Sequence, residues 1–347
     1  MEIGAFNFAD VVPGDLSHPA RRIPELVEEI ELAEQVGLDV YGIGEHHHPA
    51  FAGPAPAVIL AAGAARTNRI RLTSAVTVLS ADDPVRVFEQ FTALDLVSSG
   101  RAEIMAGRGA FLDGFRLFGH EVQNYDDLFD EKIRLLLQLR TGNRVSWEGR
   151  FRAPLNEELI LPRPVQDVLP VRVAVGGSPQ SVVRAAELGL PLVIGTIGGL
   201  AAQFAPLADL YREALVRYQQ PAQPIAVTLH GFVADTSQHA ADTYYRAESA
   251  MLNIVAAERG FAKVTPEQLA ARDAPGSMHA VGSPEKVVEK LLNHHEVFGH
   301  QRTMLQLAVG PLDHLEVMHA IELLGTRVAP AVREEIDRRS QPAPAGP

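Results

Sequence analysis

The sequence predicts an α/β protein folded as a single (β/α)8 (TIM) barrel with insertions at its rim. Eight short apolar segments typical of buried strands recur along the 347 residues, and a helical segment follows each of them. Such alternation implies parallel strands covered by helices, and eight units suggest closure into a barrel. The length exceeds the ~250 residues of a typical barrel by an amount that rim insertions can supply.

The strands and helices follow from apolar periodicity and from the residues that end each element. The predicted strands are 2–8, 39–43, 70–79, 102–106, 171–175, 191–195, 225–233 and 303–309. The predicted helices are 20–36, 55–66, 84–98, 126–140, 179–188, 201–218, 237–258, 284–297 and 313–334. In the first helix, Leu26, Ile30 and Ala33 fall on one face, and Gly37 ends it. Pro84 opens the third helix, where a missing N–H costs little.

Two segments interrupt the alternation. Residues 144–165 contain three prolines and are predicted as an irregular excursion on the barrel rim. Residues 260–283 are rich in Gly and Pro, and they are either a mobile lid over the site or a plain surface insertion. We expect one domain over residues 1–335 and a disordered tail over 336–347.

Composition excludes several classes of function. The formal charge of −12 disfavours attraction to phosphate backbones, so we expect no nucleic-acid partner. The absence of cysteine excludes disulfides, thiolate metal sites and a cysteine nucleophile. The uncharged stretch 188–208 is interrupted by Gly and Pro, which favours a strand and loop over a membrane span. With no signal sequence at the N-terminus, we expect a cytoplasmic protein without membrane contact.

In a barrel of this kind the functional site lies in the loops that follow the strands. Four stretches satisfy that condition, namely 44–48 after the second strand, 74–80 at the end of the third, 107–109 after the fourth and 176–181 after the fifth. Only these stretches are strong candidates for site residues.

Two of the stretches together suggest a phosphate site. Gly177 and Ser178 open a helix, where free N–H groups and the helix dipole favour an anion, and Ser181 adds a hydroxyl. Arg108, flanked by glycines, can supply a bidentate charged contact. The alternative is an ordinary helix cap at Ser178 beside a surface arginine.

The block Glu45-His46-His47-His48 has two interpretations. Histidine and glutamate are common metal ligands, but neighbours on an extended chain point in opposite directions, so only alternate members converge. The alternative is a hydrogen-bonded polar cluster that stiffens the loop. No second cluster with ligand spacing is evident in the sequence, and we therefore predict no metal site.

Three segments in this order resemble the bacterial luciferase-like flavin monooxygenase family. They are YGIGEHHHPAF, LTSAVTVLSADDPVRVFEQFTALDLVSSGRAEIMAGRGAF and GGSPQSVVRAAELGLPLVIG. Each motif alone is weak, but their order, their spacing and their positions after consecutive strands make a specific pattern. The resemblance extends over about residues 1–335.

The resemblance implies reduced FMN as cofactor, with its 5′-phosphate held by Arg108 and by the loop of Gly177, Ser178 and Ser181. It implies a non-prolyl cis peptide bond at Ala75-Val76 beneath the flavin ring. His46 matches the catalytic histidine of the family, and Glu45 would position its loop.

Two departures separate this chain from luciferase itself. Gly107 and Gly177 stand where luciferase has a cysteine and a glutamate, which suggests a relative that emits no light.

The predicted function is therefore an FMN-dependent monooxygenase that uses reduced FMN and O2 on a small organic substrate. No dinucleotide-binding fingerprint follows a strand, so a separate flavin reductase is expected to supply reduced flavin. The alternatives are a deazaflavin-dependent oxidoreductase on the same scaffold and a non-catalytic flavin-binding protein. Family resemblance favours a homodimer. An apolar substrate pocket is suggested by Phe6, Phe8, Phe51, Phe111 and Phe115, although such residues are as often core.

Overall fold

The computed structural model describes residues 1–109, 111–196, 198–259 and 262–340. The strands are β1 (Glu2–Asn7), β2 (Val40–Ile43), β3 (Arg71–Ser74), β4 (Thr77–Val78), β5 (Ala102–Gly107), β6 (Arg144–Trp147), β7 (Leu155–Leu159), β8 (Val171–Val175), β9 (Leu192–Gly195), β10 (Ile225–Val233), β11 (His279–Gly282) and β12 (Arg302–Gln306). The first helices are α1 (His18–Gln35), α2 (Pro56–Ala64), α3 (Pro84–Ser98), α4 (Asp113–Leu117), a 3-10 turn (Val122–Asn124), α5 (Tyr125–Thr141) and α6 (Pro179–Glu187). The remaining helices are α7 (Ala201–Arg217), α8 (Ser237–Arg259), α9 (Pro266–Arg272), α10 (Pro284–Phe298), α11 (His314–Leu323), a π segment (Leu324–Val328) and α12 (Ala329–Ser340).

The fold is the predicted (β/α)8 barrel, and its eight strands are β1, β2, β3, β5, β8, β9, β10 and β12. Every residue of β5 and β10 is buried, as expected for strands covered by helices on one face and by core on the other. Within the described ranges, no helix combines the length and the apolar character needed to cross a bilayer.

The chain divides into two compact units, and the first comprises residues 6–31 and 40–175. Here β2, β3, β5 and β8 are parallel neighbours in that order. The predicted strand 70–79 is split into β3 and β4, and β4 pairs with the end of β5. Asp83 caps α3, and its carboxylate accepts the N–H of Val85 at 2.8 Å, which explains why the helix starts at Pro84.

The second unit comprises residues 1–5, 32–39 and 176–347. Its longest strand is β10, which pairs in parallel with β12 along residues 226–230. β10 also pairs in parallel with β9 along residues 225–228 and with β11 along residues 230–233. β11 is thus an additional parallel strand, beyond the eight of the barrel, that pairs with the C-terminal half of β10.

Both predicted insertions contain regular structure that the sequence did not reveal. The prediction of an irregular segment over 144–165 was wrong, because β6 and β7 form an antiparallel hairpin there. Most of its side chains are exposed, so the alternation that marks a half-buried strand is weak. The 260–283 insertion carries α9 and β11, while its residues 260 and 261 lie outside the described part. At the C-terminus, α12 runs to Ser340, so residues 336–340 of the predicted tail are helical, and 341–347 lie outside the described part.

Candidate active site

The loop after β2 is fixed to the backbone of neighbouring strands. The N–H of Gly44 donates to the carbonyl of Asn7 at 2.9 Å, and the N–H of Glu45 donates to that of Val76 at 3.0 Å. A Cβ atom on Gly44 would lie 2.3 Å from the ring of Phe8, so only glycine allows this close approach. These contacts place the Glu45–His48 block at the ends of the strands, as the sequence predicts.

The peptide bond between Ala75 and Val76 is cis, as the family resemblance predicts. It lies where β3 stops and β4 begins, and Val76 faces the end of β5. A Cβ atom on Gly107 would lie 2.7 Å from a methyl carbon of Val76. The glycine that replaces the cysteine of luciferase therefore allows the end of β5 to pack against Val76.

His46 lies within a cluster of aromatic rings. Its imidazole stacks on Phe51 with ring centroids 4.3 Å apart, and it lies 4.4 Å from Phe8 and 5.3 Å from Phe111. The residue is only 8% exposed. Burial lowers the pKa of His46 to about 3, and the neighbouring His47 and His48 add to the effect. The imidazole is therefore neutral at physiological pH, and it can exchange a hydrogen bond without carrying a charge.

Glu45 connects the same loop to β4. One carboxylate oxygen accepts the N–H of Val78 at 2.8 Å, and the other lies 2.8 Å from Nε2 of His47. Alternate members of the block thus converge, as expected for an extended chain. The contact of His47 with Glu45 was not predicted from the sequence, although the spacing of two residues between them was the available signal. The side chain of Glu45 is in a position to hold the loop, which is the role that the resemblance predicts for it.

Arg108 follows β5 and is held by two residues at the start of α5. It forms an ion pair with Asp126, and its guanidinium carbon lies 4.8 Å from the ring centroid of Tyr125. The hydroxyl of Tyr125 donates to the carbonyl of Gly109 at 2.8 Å. The side chain of Arg108 is 21% exposed and that of Asp126 is 65% exposed, so the pair lies at the protein surface. An incoming anion could therefore replace the Asp126 carboxylate.

The second predicted phosphate segment belongs to the unit that contains residues 176–347. Ser178 is the N-cap of α6, and its Oγ accepts the N–H of Ser181 at 3.4 Å and donates to Gln180 at 3.0 Å. Gly177 has a φ of +113°, a conformation that L side chains rarely adopt. The helix cap is thus present, and the anion-binding role of Gly177, Ser178 and Ser181 stays a prediction.

Comparisons with known proteins assign the family. A family model described as luciferase-like monooxygenase matches residues 1–301 of the 347. The chain therefore belongs to the luciferase-like monooxygenase family, as its sequence motifs indicate.

Two solved structures share the fold. The monooxygenase RslO1 from Streptomyces bottropensis is similar over 95% of this chain and 99% of that chain, with 24% identity and a TM-score of 0.83. The oxygenating constituent of 3,6-diketocamphane monooxygenase from Pseudomonas putida, in complex with FMN, is similar over 96% of this chain and 98% of that chain. Its identity is 21% and its TM-score is 0.78.

A curated relative has a different cofactor in its name. The F420-dependent glucose-6-phosphate dehydrogenase of Amycolatopsis mediterranei is 32% identical over 161 residues, which are 44% of this chain and 48% of that protein. The chain spans about half the length of this relative and of several other curated relatives that it matches. The proteins that this chain resembles thus include one solved in complex with FMN and one named as F420-dependent. Membership of the luciferase-like monooxygenase family supports an enzymatic role.

Proposed function

We propose that this protein is a monooxygenase that uses reduced FMN and O2 to oxidise a small organic substrate. The observation that carries the proposal is the buried, neutral His46 among aromatic rings, in the same unit as Arg108. An aromatic cluster suits an isoalloxazine ring, and a guanidinium at the surface suits a phosphate. The chemistry of these groups therefore fits a flavin nucleotide, and the FMN complex of a structural neighbour supports the same cofactor.

Each candidate residue has a defined task in this proposal. Arg108 binds the 5′-phosphate after exchanging its partner Asp126. The resemblance implies the same ligand for Ser178 and Ser181. Bound reduced flavin supplies the electrons for oxygen activation. The phenylalanines around His46 exclude water from that neighbourhood, which strengthens hydrogen bonds there.

His46 acts as a neutral hydrogen-bonding group. Because its pKa is lowered to about 3, it carries no charge at neutral pH and offers one N–H donor and one lone pair. It can hold or move a proton at a reacting oxygen without first losing one to water. Glu45 has a positioning role, because its two oxygens connect the loop to Val78 and His47.

A deazaflavin is the second candidate cofactor, and the F420-dependent relative supports it. The experiment that separates the two is an anaerobic titration of the purified protein with reduced FMN and, in parallel, with reduced F420. The proposal expects saturable binding of reduced FMN at least about tenfold tighter than of F420, a difference of about 1.4 kcal/mol. Tighter binding of F420 would replace this proposal with the deazaflavin alternative.

Enzymatic turnover distinguishes the monooxygenase from a non-catalytic flavin-binding protein. We propose that a separate flavin reductase supplies the reduced flavin and that the chain forms a homodimer. The protein with FMN and NADH alone should then leave NADH unoxidised, whereas addition of a flavin reductase and a substrate to the same mixture should give oxygen uptake coupled to product. His46→Gln should retain flavin affinity and lose product formation. Full turnover in that variant would exclude a catalytic role for His46.

A further inference from the structure

A second cluster of ionisable side chains is buried in the unit that contains residues 176–347. Parallel pairing of β10 and β11 places His230 directly beside His279, and Glu248 reaches both from α8. The three residues are 4%, 0% and 1% exposed for His230, Glu248 and His279, respectively. A buried set of this kind is rare unless its charges are paired or bind a metal ion.

The three side chains direct their donor atoms at one place. Nδ1 of His230 lies 2.6 Å from Oε1 of Glu248, and Nε2 of His279 lies 3.1 Å from the same oxygen. The candidate ligand atoms all lie within 4.8 Å of one another. The guanidinium of Arg272, the last residue of α9, occupies the same place, with NH1 2.7 Å from Oε1 of Glu248 and 2.8 Å from Nε2 of His279.

These contacts cannot all be good hydrogen bonds at once. Arginine can only donate, so Nε2 of His279 must offer a lone pair to Arg272. That lone pair and the Glu248 oxygen, 3.1 Å apart, are then both acceptors that face one positive group. If Nε2 carries the proton instead, it can donate to Glu248, but Arg272 then faces a second donor. Two lone pairs directed at one cation is the arrangement that a metal ion stabilises.

The cluster also contains a buried polar atom that the protein does not satisfy. Across the described ranges, the second oxygen of Glu248 has no hydrogen-bond partner. Buried polar groups are nearly always paired, so unpaired ones indicate a missing ion or water. The second carboxylate oxygen would allow Glu248 to bind an ion in a bidentate manner.

We propose that His230, Glu248 and His279 bind one divalent transition-metal ion, such as Zn²⁺, in exchange for the guanidinium of Arg272. Two imidazoles and a carboxylate suit zinc and its first-row neighbours. Donor atoms around a tetrahedral zinc ion are about 3.3 Å apart. The two contacts to Glu248, at 2.6 and 3.1 Å, are already close to that spacing, and all the ligand atoms lie within 4.8 Å of one another. The side chain of Arg272 is 19% exposed, which gives the guanidinium access to solvent when it is displaced.

The sequence predicts no metal site, because the topology places these three ligands far apart along the chain. The ligands are separated by 18 and 31 residues, and the third is on β11, which was not predicted. A search for closely spaced ligands therefore passes over them. The proposal is independent of the flavin site, because the two share no residue.

The test is a competition titration of the chelator-treated, full-length protein with Zn²⁺ against a chromogenic chelator. We expect one equivalent to bind, and Glu248→Gln should weaken the affinity by more than about tenfold, since even losing an outer-shell partner costs that much. Arg272→Met should tighten the affinity, because no guanidinium then competes. The matched control is His319→Ala, which removes an exposed histidine that lies beside Asp235 and Glu322 and should leave the affinity unchanged.

Three results would overturn the proposal: no uptake of Zn²⁺ by the wild type, weaker binding by Arg272→Met, or loss of binding in His319→Ala. Because Glu248→Gln could fail to fold, X-ray absorption of the Zn²⁺-loaded wild type provides a second measurement. It should report two imidazole ligands and carboxylate oxygen at about 2.0–2.2 Å. A first shell without imidazole would contradict the assignment. Flavin titration of the same samples reads out the proposed function separately.

Discussion

Removal of Arg108 and removal of the Asp126 charge, the two members of one ion pair, should change the affinity for reduced FMN in opposite directions. If a flavin phosphate replaces the Asp126 carboxylate, removal of the arginine loses a charge-assisted contact, whereas removal of the aspartate charge eliminates a competitor. A hydrogen bond to a charged group contributes about 1.5–3 kcal/mol, so Arg108→Ala should weaken reduced-FMN binding by about 10- to 150-fold. The change in FMN affinity on removing the Asp126 charge must be much smaller.

The size of the smaller effect follows from exposure. Because the side chain of Asp126 is 65% exposed, its pair with Arg108 is screened by solvent and contributes about 0–1 kcal/mol. Asp126→Asn should therefore tighten FMN binding by at most about fivefold. The assay is an anaerobic titration of reduced FMN at two ionic strengths, and the gain from Asp126→Asn should shrink at high salt.

A different arginine–aspartate pair, with both residues on α5, provides the matched control. Arg134 and Asp130 form an exposed ion pair at 3.0 Å, and neither residue belongs to the proposed flavin site. Arg134→Ala and Asp130→Asn should leave the FMN affinity unchanged. The reasoning is refuted if Arg108→Ala binds FMN as the wild type does, or if Asp126→Asn weakens binding.

Two further predictions concern stability and pH. Because the pKa of His46 is about 3 in the folded protein against an ordinary 6.5, its contribution to stability is complete above pH 6.5 and is lost as the pH falls towards 3. His46→Gln should thus make the free energy of unfolding less dependent on pH between 6.5 and about 4, and an unchanged slope in denaturant titrations would contradict the burial argument. Gly107→Cys should destabilise the fold by about 1–3 kcal/mol, because its Cβ meets Val76 at 2.7 Å, and Val76→Ala in the same chain should restore part of the loss. Equal denaturation midpoints for Gly107→Cys and the wild type would show that the end of β5 is not tightly packed.

The barrel could be predicted from the sequence because its strands are buried and its helices are amphipathic. Such patterns are local, so they can be recognised in the sequence without knowledge of tertiary contacts. The hairpin of β6 and β7 could not be predicted in this way, since its side chains are mostly exposed and no core enforces an alternating pattern. The family resemblance implied the cis peptide bond at Ala75-Val76, but the split of the predicted strand 70–79 into β3 and β4 was not predicted.

The site residues also divide into those that local motifs identify and those that only tertiary contacts identify. The motifs identified Glu45, His46 and Arg108, which lie at strand ends where a barrel places its function. The partners of these residues were harder to find. Asp126 is 18 positions from Arg108, and nothing in the local sequence distinguishes its carboxylate from other exposed acids. The lowered pKa of His46 arises from burial among Phe8, Phe51 and Phe111, which only the folded chain brings together.

A crystal structure of the protein in complex with FMN tests the central claim most directly. We expect the flavin phosphate on the guanidinium of Arg108, with the Asp126 carboxylate displaced, and the flavin ring beside His46 and the Ala75-Val76 peptide. A flavin bound elsewhere, with Arg108 still paired to Asp126, would contradict it.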